Sequence, residues 1–285
     1  MKTTFISILF CVKLRFCHIL KEEIKLKYHF RTVLTIIVLV ALSSNVNAQR
    51  RVVVNKPKYD LDPYHFGFIL AGNQMMLTWK PVENYRSMLW LPEEAKDLNI
   101  PNASYYQLLE VSSTPVPGFA VGIVGNLRLG NHLDLRFIPT LAFGERYIDY
   151  NVLALNNSMV IIDTIPVRKS IPSTTVDFPF HIKYRSKRLN NFAAYVLAGG
   201  KYSIEMASTK KVSSANNDVP VKVDRNDFAA EAGVGFDFYT PYFKFGTELK
   251  MSYGFKNILV KDEFMYSQVL DRLNNKVFQL SFTFE

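Results

Sequence analysis

From residue 64 to the end of the chain, hydrophobic and polar positions alternate with a period of two, the pattern of β-strands with one apolar and one polar face. Phe243–Phe255 shows it most plainly. Phe243, Phe245, Leu249, Met251, Tyr253 and Phe255 share one face, and Lys244, Gly246, Glu248, Lys250, Ser252 and Gly254 share the other. Phe119–Leu129, Leu133–Tyr147, Val176–Tyr184, Phe228–Phe238 and Phe278–Phe284 repeat the pattern, and Tyr64–Trp79 and Phe192–Met206 follow it less cleanly. Eight strands are therefore predicted. Gly130-Asn131, Lys187–Asn190 and Thr240-Pro241 are tight turns between them, whereas the connections over 80–117, 152–168, 208–221 and 257–274 are long. Short turns at one end and long loops at the other predict an antiparallel up-and-down barrel with both termini on the short-turn side.

Alternation does not say which face points inward. A soluble barrel buries its apolar face, and a membrane barrel turns that face to lipid. Three features favour the membrane arrangement. The polar faces mix charges with glycines (Gly233, Gly235, Gly246, Gly254), as a narrow lumen filled by side chains requires. Aromatic residues gather near strand ends at Trp79, Tyr147, Tyr150, Tyr202, Tyr239, Tyr242, Tyr253 and Phe255, like the girdles of membrane barrels. The chain closes on a Phe-rich strand, which looks like an outer-membrane assembly signal. The expected fold is an all-β, eight-stranded antiparallel up-and-down transmembrane β-barrel of the outer membrane. Its lumen should hold a charge network of Arg128, Arg136, Asp177, His181, Lys183, Glu231, Asp237 and Glu248, together with Asp134, Arg185, Lys244 and Lys250. Both signs occur, so cross-strand pairing offsets the cost of desolvation. Several strands exceed the ~9–11 residues of a tilted transmembrane strand and should extend above the membrane.

The segment ahead of the strands changes the composition. Basic residues from Lys27 to Arg31, the apolar core Thr32–Leu42 and the small-residue stretch SSNVNAQ have the order of a secretory signal peptide, with the cut expected after Ala48. The core is too short for a membrane anchor, and residues 1–26 read as an over-extended gene start. The whole chain has 285 residues, two cysteines and a net charge of +9. Removing residues 1–48 leaves 237 residues, no cysteine and a net charge of +4. The expected organisation is a removed leader (1–48), a periplasmic N-terminal arm (49–63) and an outer-membrane barrel (64–285). Such a modest charge gives no reason to propose nucleic acid as a partner.

LDLRFIPTLAFGERYIDY (Leu133–Tyr150), DFPFHIKYRSKR (Asp177–Arg188) and NNFAAYVLAGGKYS (Asn190–Ser203) resemble the PorT family of Bacteroidetes, called SprT in gliding bacteria, as does HFGFILAGN (His65–Asn73). The resemblance implies an outer-membrane barrel needed for type IX secretion and associated with gliding motility. It implies no catalytic, ligand or cofactor residues.

The residues themselves point the same way on chemistry. A lipid-modifying barrel enzyme needs a histidine near a serine on the outer side. The three histidines after residue 48 are His65 and His132, expected at the periplasmic edge, and His181, expected in the lumen. Asp177 and His181 lie ~13 Å apart along one strand, too far for a catalytic pair. No metal cluster, phosphate-binding glycine loop or nucleophile elbow occurs, so no cofactor, metal or small-molecule substrate is expected. A generic anchor or adhesin is the other alternative. The expected partners are outer-membrane lipid and other type IX secretion components. The loop 80–117 carries more apolar residues than a solvated loop needs, including Tyr85, Trp90, Tyr105 and Tyr106. It should either cover the barrel mouth as a lid or dock a partner.

Overall fold

The computed structural model of the protein describes residues 53–98, 100–207 and 221–285. The leader and its cleavage site lie outside them. Eleven strands form one antiparallel sheet: β1 (Tyr64–Pro81), β2 (Leu89–Trp90), β3 (Tyr105–Thr114), β4 (Val116–Arg128), β5 (Leu133–Phe137), β6 (Thr140–Leu155), β7 (Ile161–Arg185), β8 (Phe192–Glu205), β9 (Asn226–Tyr239), β10 (Lys244–Gly254) and β11 (Leu270–Phe284). β3 and β4 make one long stave interrupted at Pro115, and β5 and β6 another interrupted at Ile138-Pro139. With short β2 set apart on β3, eight staves remain. β1 pairs with β11 on one side and with β4 on the other, so the sheet closes into a ring.

The wall has two zones with opposite polarity. Near the short turns, the outward positions are large and apolar: Phe180, Ile182 and Tyr184 on β7, Phe228, Val234 and Phe236 on β9, and Leu249 and Met251 on β10 are all exposed. The outward apolar runs on β8 (Phe192 to Tyr202) and β9 (Phe228 to Phe238) match the ~9–11 residues that cross a bilayer at a tilt. Cross-strand aromatic pairs such as Phe68/Phe284 at 4.8 Å and Phe137/Phe180 at 4.5 Å knit this outer surface. The inward positions of the same strands carry the charges.

Farther from the short turns the polarity inverts. Tyr106, Leu108, Val111, Ile148, Tyr150, Val152 and Ile171 point inward and pack with Leu77, Leu270 and Leu273 into one buried cluster. The loop after β1 and the helix α1 (Met265–Gln268) complete it with Trp90, Ala95, Met265 and Tyr266. Here the outside is polar and the inside is oily, as in a water-soluble barrel. The Tyr150 hydroxyl donates to the Tyr266 carbonyl at 3.1 Å, and the Lys169 ammonium meets Asp97 of the loop at 2.6 Å, which holds the cover in place.

This inversion explains where the expected boundaries need correction. The connection 152–168 is a five-residue turn, 156–160, in which Asn156 Oδ1 accepts from the Ser158 and Val160 amides at 2.9 Å. β6 and β7 run on to either side of it. Pro166 and Pro172 read as strand breakers, yet both lie on β7. They share the phase of Thr174, whose amide and carbonyl face away from β6, toward Glu205 and Met206. Their missing N–H groups therefore cost no β6–β7 ladder bond. Likewise 105–114 is strand β3, disguised by a register shift between Leu108 and Glu110. The expected aromatic girdle is also smaller. Tyr150 and Tyr239 are inside the barrel and Trp79 packs on the oily cluster, while Tyr202, Tyr242, Tyr253 and Phe255 face outward.

Candidate functional site, a charged and closed lumen

At the short-turn end, residues 53–63 fold back across the barrel opening. The Asn55 amide donates to Asn191 Oδ1 at 2.8 Å, and Arg188 donates to the Asn55 and Lys56 carbonyls. The Tyr59 ring stacks on His65 with centroids 3.9 Å apart, and its hydroxyl donates to Glu285 at 3.4 Å. Burial, reinforced by the Glu285 carboxylate, holds this phenol well above its ordinary pKa. Asp60 pairs with Arg185 and accepts from the Tyr239 hydroxyl at 2.8 Å. The arm thus turns its polar groups into the lumen and stops it like a cork.

Above this stopper the lumenal charges pair across the barrel. Arg136 on β5 meets Glu248 on β10 at 2.9 Å and the terminal Glu285 at 3.2 Å. Lys183 on β7 meets Asp237 on β9 at 2.7 Å, and His181 meets Glu231 at 2.7 Å. Lys250 lies 3.4 Å from Glu231, and Lys201 joins Asp177 at 3.1 Å to Glu231 at 3.4 Å. Lys244 reaches Glu285 at 2.5 Å. The Tyr195 hydroxyl donates to Glu248 at 3.1 Å, while the Lys183 ammonium sits 3.6 Å above the Tyr195 ring. Arg136 and His181 have no exposed surface. A higher group joins Arg146 to Glu205 at 2.6 Å, with the Ser173 hydroxyl on the same carboxylate at 2.7 Å.

Eleven of the twelve residues expected in the lumenal network are therefore inside it: Arg136, Asp177, His181, Lys183, Glu231, Asp237 and Glu248, with Asp134, Arg185, Lys244 and Lys250. Arg128 is not. It sits at the short-turn rim, where its guanidinium donates to the carbonyls of Gly130 and Leu61 and to Asn131. It is the last residue of β4, so its side chain bends to the turn. The network also holds Glu285, Lys201, Tyr195, Arg146 and Glu205, which are not among the expected members. Glu285 and Lys201 share the inward phase of their strands with Ser281 and Ser203, so the period-two count reaches both, Glu285 one step beyond Phe278–Phe284 and Lys201 within Phe192–Met206.

The four aromatics expected in the loop 80–117 separate: Tyr85 and Trp90 lie between β1 and β3, and Tyr105 and Tyr106 lie on β3. Trp90 and Tyr106 are 6% and 1% exposed, so neither side chain is available to a partner, which corrects the docking reading for these two. Tyr85 packs against the oily cluster from its edge, and Tyr105 is half-buried. The loop is a lid.

Residues 64–260 match the outer membrane protein beta-barrel domain family. The chain belongs to that family. In this outer-membrane barrel the lower zone is the part that faces lipid. Among solved structures, the outer membrane protein OprG from Pseudomonas aeruginosa is similar at 9% identity and a TM-score of 0.35, over 76% of this chain and 92% of that one. An outer membrane channel from Pseudomonas putida F1 is similar at 11% identity and a TM-score of 0.24, over 84% and 98%. No curated protein matches.

The barrel is held shut by fit as well as by charge. A Cβ added at Gly235 would stand 2.4 Å from the Tyr195 ring and 2.6 Å from the Thr247 carbonyl, so only glycine admits that ring beside β9. Gly235→Val is expected to displace Tyr195 from Glu248 and to cost about 1–3 kcal/mol of stability. Urea unfolding of the protein refolded into lipid vesicles checks this, and an unchanged midpoint would count against the tight fit.

Proposed function

We propose that this barrel serves type IX protein secretion as a non-enzymatic outer-membrane component that assembles or scaffolds its partners. The closed lumen carries the reading. An arm, an ion-pair layer and an oily lid lie in series, leaving no passage for a secreted chain, so the work falls to the surfaces. The resemblance of Leu133–Tyr150, Asp177–Arg188 and Asn190–Ser203 to the PorT family supplies the system in which that work is done. The histidines offer little for catalysis: His65 is stacked on Tyr59, His132 Nδ1 meets the Arg185 carbonyl, and His181 meets Glu231. On this reading partners engage the rim above the membrane, where the β6–β7 hairpin tip exposes Met159, Val160, Ile161 and Ile162.

Deleting the gene in its native host should abolish secretion of type IX cargo, and the tagged barrel should recover other secretion components from outer membranes. Acidic substitutions at Val160 and Ile162 should lose those components while the barrel still folds. Normal secretion in the deletion strain, with no secretion component recovered, would overturn the reading.

A further inference from the structure

Between the ion-pair layer and the oily lid the lumen widens, because several inward positions carry side chains as small as Ala142 and Ala229. The resulting chamber offers about 30 Å³ to the centres of water-sized molecules. Asn73, Arg146, Asp177 and Asp227 line it, each at least nine-tenths buried. Each also brings polar atoms that no protein group satisfies. Asp177 gives one oxygen to Lys201 and Asp227 gives one to Asn275, which leaves Oδ1 of both carboxylates unpartnered. Both amide atoms of Asn73 and Nε of Arg146 are unpartnered as well. Five buried polar atoms on one small chamber cannot be dismissed as a single strained contact.

We infer that the chamber is a built site for ordered water, holding about two or three molecules at ~10–15 Å³ each. The bookkeeping of donors and acceptors selects the occupant. Three atoms are acceptors (Asp177 Oδ1, Asp227 Oδ1, Asn73 Oδ1) and two are donors (Asn73 Nδ2, Arg146 Nε). Water serves both kinds at once. A metal cation would serve the oxygens and leave the N–H groups facing a like charge. The waters join the Lys201–Asp177 pair below to the Arg146–Glu205 pair above, so the two charge groups act as one network.

This inference reverses the usual rule for filling a cavity. Ala229→Val adds apolar volume to the chamber, which in an empty oily cavity would stabilise the protein. Here it expels water from unpartnered groups and is expected to lower the urea midpoint of the vesicle-refolded barrel by about 0.5–1 M. To separate this from simple crowding, the same substitution is made in an Asn73→Leu background, where three of the five polar atoms still depend on the water and the loss should be smaller. An unchanged or raised midpoint for Ala229→Val, or an equal loss in both backgrounds, would overturn the inference. A high-resolution crystal structure gives an independent reading. Waters within hydrogen-bond reach of Asp177, Asp227 and Asn73 support the site, and a metal ion or a collapsed chamber refutes it.

Discussion

Replacing Arg136 by leucine lowers the stability of the vesicle-refolded barrel by about 3–5 kcal/mol, the cost of leaving a buried charge without its partner. Arg136 is fully buried and touches Glu248 and Glu285, both with buried side chains. Without it, Glu285 keeps Lys244 at 2.5 Å, but Glu248 retains only the Tyr195 hydroxyl at 3.1 Å and Lys250 at 3.9 Å. The loss therefore centres on Glu248. The double variant Arg136→Leu/Glu248→Leu removes both charges together and should recover more than half of the deficit, because a matched apolar pair is often as stable as the buried ion pair it replaces. Urea titrations of the parent, both single variants and the double variant complete the cycle. A single variant within 1 kcal/mol of the parent would mean that water reaches these groups and that the lumen is not dry around them.

Trp90→Ala is expected to cost about 3–5 kcal/mol, but in a different place. Trp90 sits in the oily cluster with Tyr106, Ile148 and Tyr266, above the lipid-facing zone and away from the ion pairs. Its removal opens a cavity where the lid meets the barrel wall. The expected signature is local: proteases added from outside should cleave the loop 82–104 much faster, while the lower staves remain protected. Uniform protection in the variant would contradict the placement of the lid, whatever the change in overall stability.

The two zones also explain what could be read from the sequence. The membrane zone was legible because lipid outside and charge inside keep period two strict, as on β10 and β9. The fold class and the eight staves follow from that regularity, and so do eleven members of the lumenal network. Above the membrane the inside is oily and the outside polar, and the period persists with its meaning reversed. There the register shift at Leu108/Glu110 and the prolines at 166 and 172 hid strands as loops. Tyr150 and Tyr239 have the sequence positions of girdle residues because composition near a strand end cannot tell an inward tyrosine from an outward one. Arg128 went astray for a related reason, since a long side chain on the last residue of a strand can leave its nominal face. The folding back of residues 53–63 carried no periodic signal at all. It depends on partners far along the chain, namely Arg185, Arg188, Asn191 and Tyr239.

The central claim is that this outer-membrane barrel is shut by its own side chains, and ion conductance across planar lipid bilayers tests it most directly. The purified, correctly refolded protein should leave the current at the level of the bare bilayer, and Trp90→Ala should do the same because the ion-pair layer and the arm remain in place. Discrete conductance steps from the unmodified protein would contradict the claim.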